Sequence, residues 1–207
     1  MTACTTFIPE GRVGRAMAWT AALEGLWLFL PAYVANMSPV FAAKLFPKWS
    51  APIDGGRLAR DGKRVLGPGK TWRGLVGGAV AGAAVAVVLS FAAAGIFRGD
   101  DFGRSLGSPA WAIALFGGLV GDAVKSYFKR RRGKERGQPW VPFDQLDFVV
   151  FGLLAVAAAS PLLADGWARH AFLGDWLVLV TIVVLTPALH FLVNVIGYGL
   201  KLKDVPW

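Results

Sequence analysis

The residues of this chain best suited to chemistry lie between Gly121 and Phe148, in GDAVKSYFKRRRGKERGQPWVPFDQLDF. Asp122 stands inside an apolar run, where an ionised carboxylate costs about 2.5–3.5 kcal/mol on insertion scales and less towards an interface. A cation or a partner helix has to offset that cost. On a helix Asp122, Ser126 and Lys129 are four and three residues apart and share one face. Arg130 and more cations follow, and Asp144 and Asp147 close the stretch at the start of another apolar run. Structural readings stay open for each carboxylate. Asp122 could pair with Lys125 or Ser126, and Asp144 and Asp147 could be the N-cap and N3 residues of a helix, favoured by its macrodipole. Capping does not by itself require two carboxylates beside the seven Lys and Arg residues of 125–146. With phosphate oxygens, such carboxylates suit Mg²⁺, which takes one or two carboxylates, substrate phosphates and water. The chemistry indicated is that of a metal-bound polyphosphate at a membrane surface.

A second candidate is GPGKT, Gly67 to Thr71. It is not a P-loop, because the Gly required five residues before Gly69 is Arg64 and a membrane span follows. Gly69, Lys70, Thr71 and Arg73 still offer flexible backbone and cations at a helix N-terminus, an anion cradle. Membrane-surface charge explains each of these cations equally well when taken alone. Zinc chemistry and a Ser–His–Asp hydrolase lack residues: the chain has one cysteine, Cys4, and His170 and His190 are isolated. His190 and Asn194, one turn apart, read as helix–helix hydrogen bonding.

The elements that must position these residues follow from hydropathy. Of 207 residues 55% are hydrophobic, 17% are charged, and the mean hydropathy is +0.51. A soluble domain carries about a quarter of its residues as charge. The expected fold is a single all-α integral membrane domain, 1–207, with about five transmembrane helices near 17–41, 74–97, 109–128, 147–163 and 176–199. The first run is too long for the apolar region of a signal peptide. It contains Glu24 and Asn36, and an amide in a span is helix–helix glue or a ligand. The third helix is expected to continue through Asp122 and Ser126 into the basic cluster, and to break between Gly133 and Pro142. Polar turns are expected at 98–108 and 164–174, and a kink at Pro187. The loop 42–73 carries eight Lys and Arg with recurrent Gly and Pro, so it is not a regular helix, and its length points to function or an interfacial fold. Gly74, Gly78 and Gly82 form one face that another helix can approach closely, from this chain or from a homodimer partner.

Charge sets the orientation. Of 22 Lys and Arg, 17 fall in the two long loops and the C-terminal tail, and five on the other side. Positive loops stay inside, so both long loops and the C-terminus are expected in the cytoplasm and the N-terminus outside the cell membrane. The net charge of +9 therefore reads as membrane orientation and head-group attraction, with no nucleic acid involved.

PAYVANMSPV, PIDGGR, GPGKTWRG, GDAVKSYFKRR and PFDQLDF together cover most of 31–152 and resemble the CDP-archaeol synthase family, relatives of the CDP-diacylglycerol synthases. The last span carries no matching motif. The resemblance implies a nucleotidyltransferase of phospholipid biosynthesis: CTP and an unsaturated archaeal ether-lipid phosphate give CDP-archaeol and pyrophosphate, with Mg²⁺. That the lipid is an ether comes from the resemblance alone. On that reading Asp122, Asp144 and Asp147 carry one or two Mg²⁺, and Lys129 and Arg130 neutralise pyrophosphate or lipid phosphate. Lys70, Thr71 and Arg73 bind the triphosphate, Ser126 orients phosphate or a metal ligand, and Asn36, Asp54 and Gln145 contact cytosine, ribose or the metal's surroundings. Two rivals differ in class. A CDP-alcohol phosphotransferase needs its Asp-Gly and paired aspartates in one run, whereas Asp61-Gly62 lies far from Asp144. A small transporter or lipid-binding membrane protein would use Asp122 as its coupling site, but no inverted repeat is visible.

Overall fold

The computed structural model describes residues 10–96, 110–135, 138–141, 143–159, 161 and 176–201. The described residues form five helices: α1 (Glu10–Leu45), α2 (Trp72–Ile96), α3 (Ala110–Arg131), α4 (Phe143–Ala159) and α5 (Trp176–Gly199). Among the described residues there is no β-strand beyond two isolated bridges, Pro52 with Thr71 and Leu58 with Arg64. The all-α expectation is met. The turns expected at 98–108 and 164–174, the end of the fourth span and the tail beyond Lys201 lie outside the described residues, as do the side chains of Arg12, Arg15 and Glu24.

Among the described residues, three helical stretches are long and apolar enough to cross a membrane: Gly25–Leu45, Trp72–Ala92 and Trp176–Gly199, with mean hydropathies of 1.4, 2.2 and 2.3. α3 carries Asp122 and a basic last turn, which lower its hydropathy, and α4 is described from Phe143 to Ala159.

Glycines decide how the helices meet. A Cβ at Gly78 would lie 2.7 Å from the Ala35 carbonyl oxygen, and one at Gly82 2.8 Å from that of Pro31. The glycine face of α2 is thus filled by α1, within the chain. On α3, a Cβ at Gly117 would lie 2.6 Å from the Phe151 carbonyl oxygen and one at Gly121 2.9 Å from that of Asp147. The α3 and α4 backbones therefore approach closely at the level where Asp122 and Asp147 emerge. Phe29 and Tyr33 of α1, Phe148 and Val149 of α4, and Val178 and Ile182 of α5 share a buried core. Helix hydroxyls bond the carbonyl one turn back, as Ser38 does to Val34 at 2.6 Å and Ser126 to Asp122 at 2.8 Å.

Candidate active site

The loop between α1 and α2 is built around Asp54, whose side chain is 1% exposed. Its carboxylate accepts from Arg64 Nη2 at 2.5 Å and from the backbone N–H of Gly56, Leu66 and Gly67 at 3.1, 3.0 and 2.9 Å. The Arg64 guanidinium first, then the three amides, hold this carboxyl well below the usual carboxylate range, against the opposing effect of burial. The loop docks on the end of α3. Arg131 Nη1 donates to Asp61 at 2.5 Å, and Lys63 Nζ donates to the Arg131 carbonyl at 3.1 Å. Gly67, at φ 93°, passes so close to Arg130 that a Cβ would lie 2.8 Å from its Nε. α3 itself stops in a Schellman turn, with Gly133 at φ 73° donating to Arg130 O and Lys134 to Lys129 O, at 3.0 and 3.1 Å.

This docking brings Lys70 against Asp122 as an ion pair. Across from them, the first turn of α4 carries Asp144, whose Oδ2 accepts from the Trp140 N–H at 2.7 Å and from Lys129 Nζ at 2.8 Å. Asp144 thus caps the incoming chain, while Asp147, one turn on, faces α3. Between the three aspartates stands Lys125. Its Nζ is 3.1 Å from Asp122, 3.4 Å from Asp144 and 2.9 Å from Asp147. Asp147 is the most enclosed of the three, its side chain 4% exposed. Although Lys125 is close, neither Asp147 oxygen accepts a hydrogen bond of normal geometry.

This cluster opens on a cavity of about 600 Å³. Lys70, Asp122, Lys125, Lys129 and Asp144 supply its charged end, with Gln145 and Asn36 as neutral polar neighbours, while Asp147 is paired to Lys125 outside the lining. Leu26, Leu30, Phe148, Leu189 and Val193 supply apolar wall from three helices. One charged end and long apolar walls suit an amphipathic molecule with an anionic head.

The structure thus brings together Asp122, Asp144, Asp147, Lys70, Lys129, Asn36 and Gln145, seven of the residues singled out by sequence. It keeps others out of the cavity lining. Asp54 spends its oxygens on its own loop, so a contact to cytosine, ribose or metal finds no free carboxylate there. Arg73 Nη1 donates to the carbonyls of Phe46 and Pro47, both at 2.9 Å. Thr71 Oγ1 accepts from Gly74 N at 3.3 Å, as a helix N-cap. Gly69 lies in an exposed turn. Arg130 Nη1 donates to the Lys134 carbonyl at 2.5 Å, and the Ser126 hydroxyl is turned onto the Asp122 carbonyl. Of the expected anion cradle only Lys70 reaches the cavity, because the other members are used to shape the loop. His190 and Asn194 bond to each other at 3.1 Å within α5. The residue that sequence reasoning underweighted is Lys125. Its signal was present, since i,i+3 spacing from Asp122 already placed both on one helix face.

Known proteins settle the family. The family model described as CarS-like CDP-archaeol synthase matches residues 19–207. The chain belongs to the CDP-archaeol synthase family. The CDP-archaeol synthase of Halobacterium salinarum is 44% identical over 185 residues, covering 88% of this chain and 94% of that one. That of Methanopyrus kandleri is 43% identical over 190 residues, covering 92% and 96%. A solved structure, described as an intramembrane enzyme for archaeal membrane lipids biosynthesis, superposes with a TM-score of 0.56 at 33% identity, over 81% of this chain and 94% of that one. The chain is accordingly an enzyme, a cytidylyltransferase of archaeal lipid synthesis, and the transporter and phosphotransferase alternatives fall away.

Among the described residues no three His, Cys, Asp or Glu side chains stand as ready ligands to one ion. The chemistry of the donor set nevertheless fits Mg²⁺: hard carboxylate oxygens from two helices face one point, and both oxygens of Asp147 lack a directed donor. What occupies that point is the Lys125 ammonium.

Proposed function

We propose that this protein transfers CMP from CTP to an unsaturated archaeal ether-lipid phosphate, giving CDP-archaeol and pyrophosphate. The observation that carries the reading is the cavity itself, where apolar walls from α1, α4 and α5 end at Asp122, Asp144 and three lysines, one of them paired to Asp147. A lipid phosphate can extend its tails along those walls while CTP enters from water. The charge asymmetry of the loops supports five spans in one domain, with the N-terminus outside and both long loops, hence the site, in the cytoplasm where CTP is found.

The lipid phosphate oxygen attacks the α-phosphorus of CTP. A new P–O bond forms, the bond from the α-phosphorus to the oxygen bridging to the β-phosphate breaks, and pyrophosphate leaves with the electron pair. The attacking oxygen is already ionised, so no general base is needed, and catalysis reduces to positioning and charge neutralisation. Asp122, Asp144 and Asp147 would hold Mg²⁺, which when bound neutralises phosphate charge and polarises the α-phosphorus. Lys70 and Lys129 face the cavity as point charges for phosphate oxygens, each restrained by an aspartate. Asn36 and Gln145 offer donors and acceptors for the base or the ribose. Arg130, Arg73, Thr71 and Asp54 act by holding the loop that delivers Lys70.

The test is pyrophosphate release by the purified protein in detergent with CTP, Mg²⁺ and a geranylgeranyl ether-lipid phosphate. Release should depend on both substrates, vanish in Asp144→Asn, and persist in Glu135→Gln, which alters an exposed loop residue. No release from folded protein with either ether or ester lipid phosphates would sink the proposal.

A further inference from the structure

The centre of the carboxylate cluster is occupied by a side chain. Lys125 Nζ lies 2.9 to 3.4 Å from an oxygen of each of Asp122, Asp144 and Asp147, and the lysine is 14% exposed. These are ammonium–carboxylate distances. A divalent ion such as Mg²⁺ needs its oxygens at about 2.0–2.1 Å, so the aspartates have to close inward on it. They cannot do so around Lys125. Two positive centres at one point repel.

Charge counting leads the same way. With Lys70 on Asp122 and Lys129 on Asp144, the cluster holds three aspartates and three lysines and is formally neutral. A divalent ion entering alone adds positive charge to a partly enclosed site, and the Lys125 ammonium relieves it by turning from the carboxylates into the cavity. One entering with a nucleotide triphosphate brings the matching anion. The Lys125 side chain lines the cavity, so an ammonium leaving the carboxylates enters the space where phosphate oxygens would lie.

We infer that Lys125 is an internal stand-in cation: it occupies the divalent-ion position in the metal-free protein and swings to substrate phosphate when the ion binds. The inference rests on the metal reading above and adds a role for a residue that this reading leaves unassigned. Lys125 is a positioning residue in the first state and a phosphate ligand in the second. Removing it should loosen the metal-free protein and tighten the metal site, a pair of effects that a merely structural lysine would not produce.

Two measurements test this. The first is Mn²⁺ binding to the full-length protein in detergent, followed by the electron-spin signal of free Mn²⁺, in wild type and in Lys125→Gln. The expected result is at least about tenfold tighter binding in the variant, together with a lower midpoint of thermal unfolding without metal. Equal or weaker binding in a folded Lys125→Gln overturns the inference alone. No binding in either protein overturns the metal reading as well. The second uses only wild type, so it does not depend on the variant folding. Amine-reactive labelling read by mass spectrometry should modify Lys125 slowly in metal-free protein and several-fold faster once Mg²⁺ is added without nucleotide. CTP added with Mg²⁺ should protect it again. Labelling that does not rise with Mg²⁺ overturns the inference.

Discussion

Lys70, two residues before the start of α2, and Asp122, in the middle of α3, are 52 positions apart and meet as an ion pair at the charged end of the cavity. Neither helix alone specifies that meeting. It follows from the loop that Asp54 organises and from the contact of that loop with the end of α3.

This pair leads to the first prediction. Lys70→Met leaves Asp122 with Lys125 as its remaining cation and removes a preorganised phosphate contact. The rate should fall by about 10²–10³, the range for losing one such group. Lys70→Arg should restore little, because a planar guanidinium is not a point charge on a flexible stem. Initial rates against CTP concentration check both, and near wild-type rates in Lys70→Met would remove Lys70 from the site.

Asp147 should show opposite effects on stability and activity. Its carboxylate is enclosed and lacks directed hydrogen bonds, so its burial is costly even beside Lys125. Asp147→Asn should leave the metal-free unfolding midpoint unchanged or raise it, while activity drops by about 10² or more. Thermal unfolding in detergent and the pyrophosphate assay, run on one preparation, separate the two effects.

The α3–α4 approach gives a steric prediction. A Cβ at Gly121 would come within 2.5 Å of that of Phe151 and 2.9 Å of the Asp147 carbonyl oxygen. Gly121→Val must push α4 away, at a cost of about 1–3 kcal/mol for overpacking, and it moves Asp147 relative to Asp122. Activity should be lost even in protein that remains folded by circular dichroism. Gly62, where a Cβ would meet nothing within 4 Å, bounds a different case. There Gly62→Ala should cost only the strain of its φ of 74° and leave activity near wild type.

Asp54 sets a pH dependence. Its carboxyl is held below the usual range in the folded loop, chiefly by Arg64, whereas in the unfolded chain it titrates near about 3.9. The sign follows from linkage: a depressed folded value contributes stability that is fully present above the unfolded value and is lost as pH falls through the folded one. The unfolding midpoint of Asp54→Asn should therefore lie below that of wild type by a constant amount from about pH 5 to 8. The gap should narrow as pH drops below about 4. A gap that stays constant down to pH 3 would mean that the loop does not depend on the ionised carboxylate.

Much of this protein was legible in the sequence because it depends on local chemistry. Long uncharged runs can satisfy their backbone only as helices in an apolar medium, and the five helices fall where those runs are. The aspartates that cluster around Lys125 drew notice in the sequence because a carboxylate in an apolar run needs a reason to be there, and the i,i+4 and i,i+3 spacing put Asp122, Ser126 and Lys129 on one face. The glycines of 74, 78 and 82 announced a close helix contact but not its partner, since a smooth face fits a neighbour in the same chain as well as one in another. Only packing decided that α1 fills it. Packing also decided which loop cations serve the cavity. Thr71, Arg73, Arg130 and Asp54 carry the same chemical groups as residues that would bind phosphate or metal, and composition does not distinguish a cation spent on a carbonyl from one turned to substrate. Lys125 was ambiguous for the same reason. Its neighbour Asp122 was visible on the same helix, but Asp144 and Asp147 come from α4, and their convergence on one ammonium exists only once Gly117 and Gly121 let the two helix backbones touch.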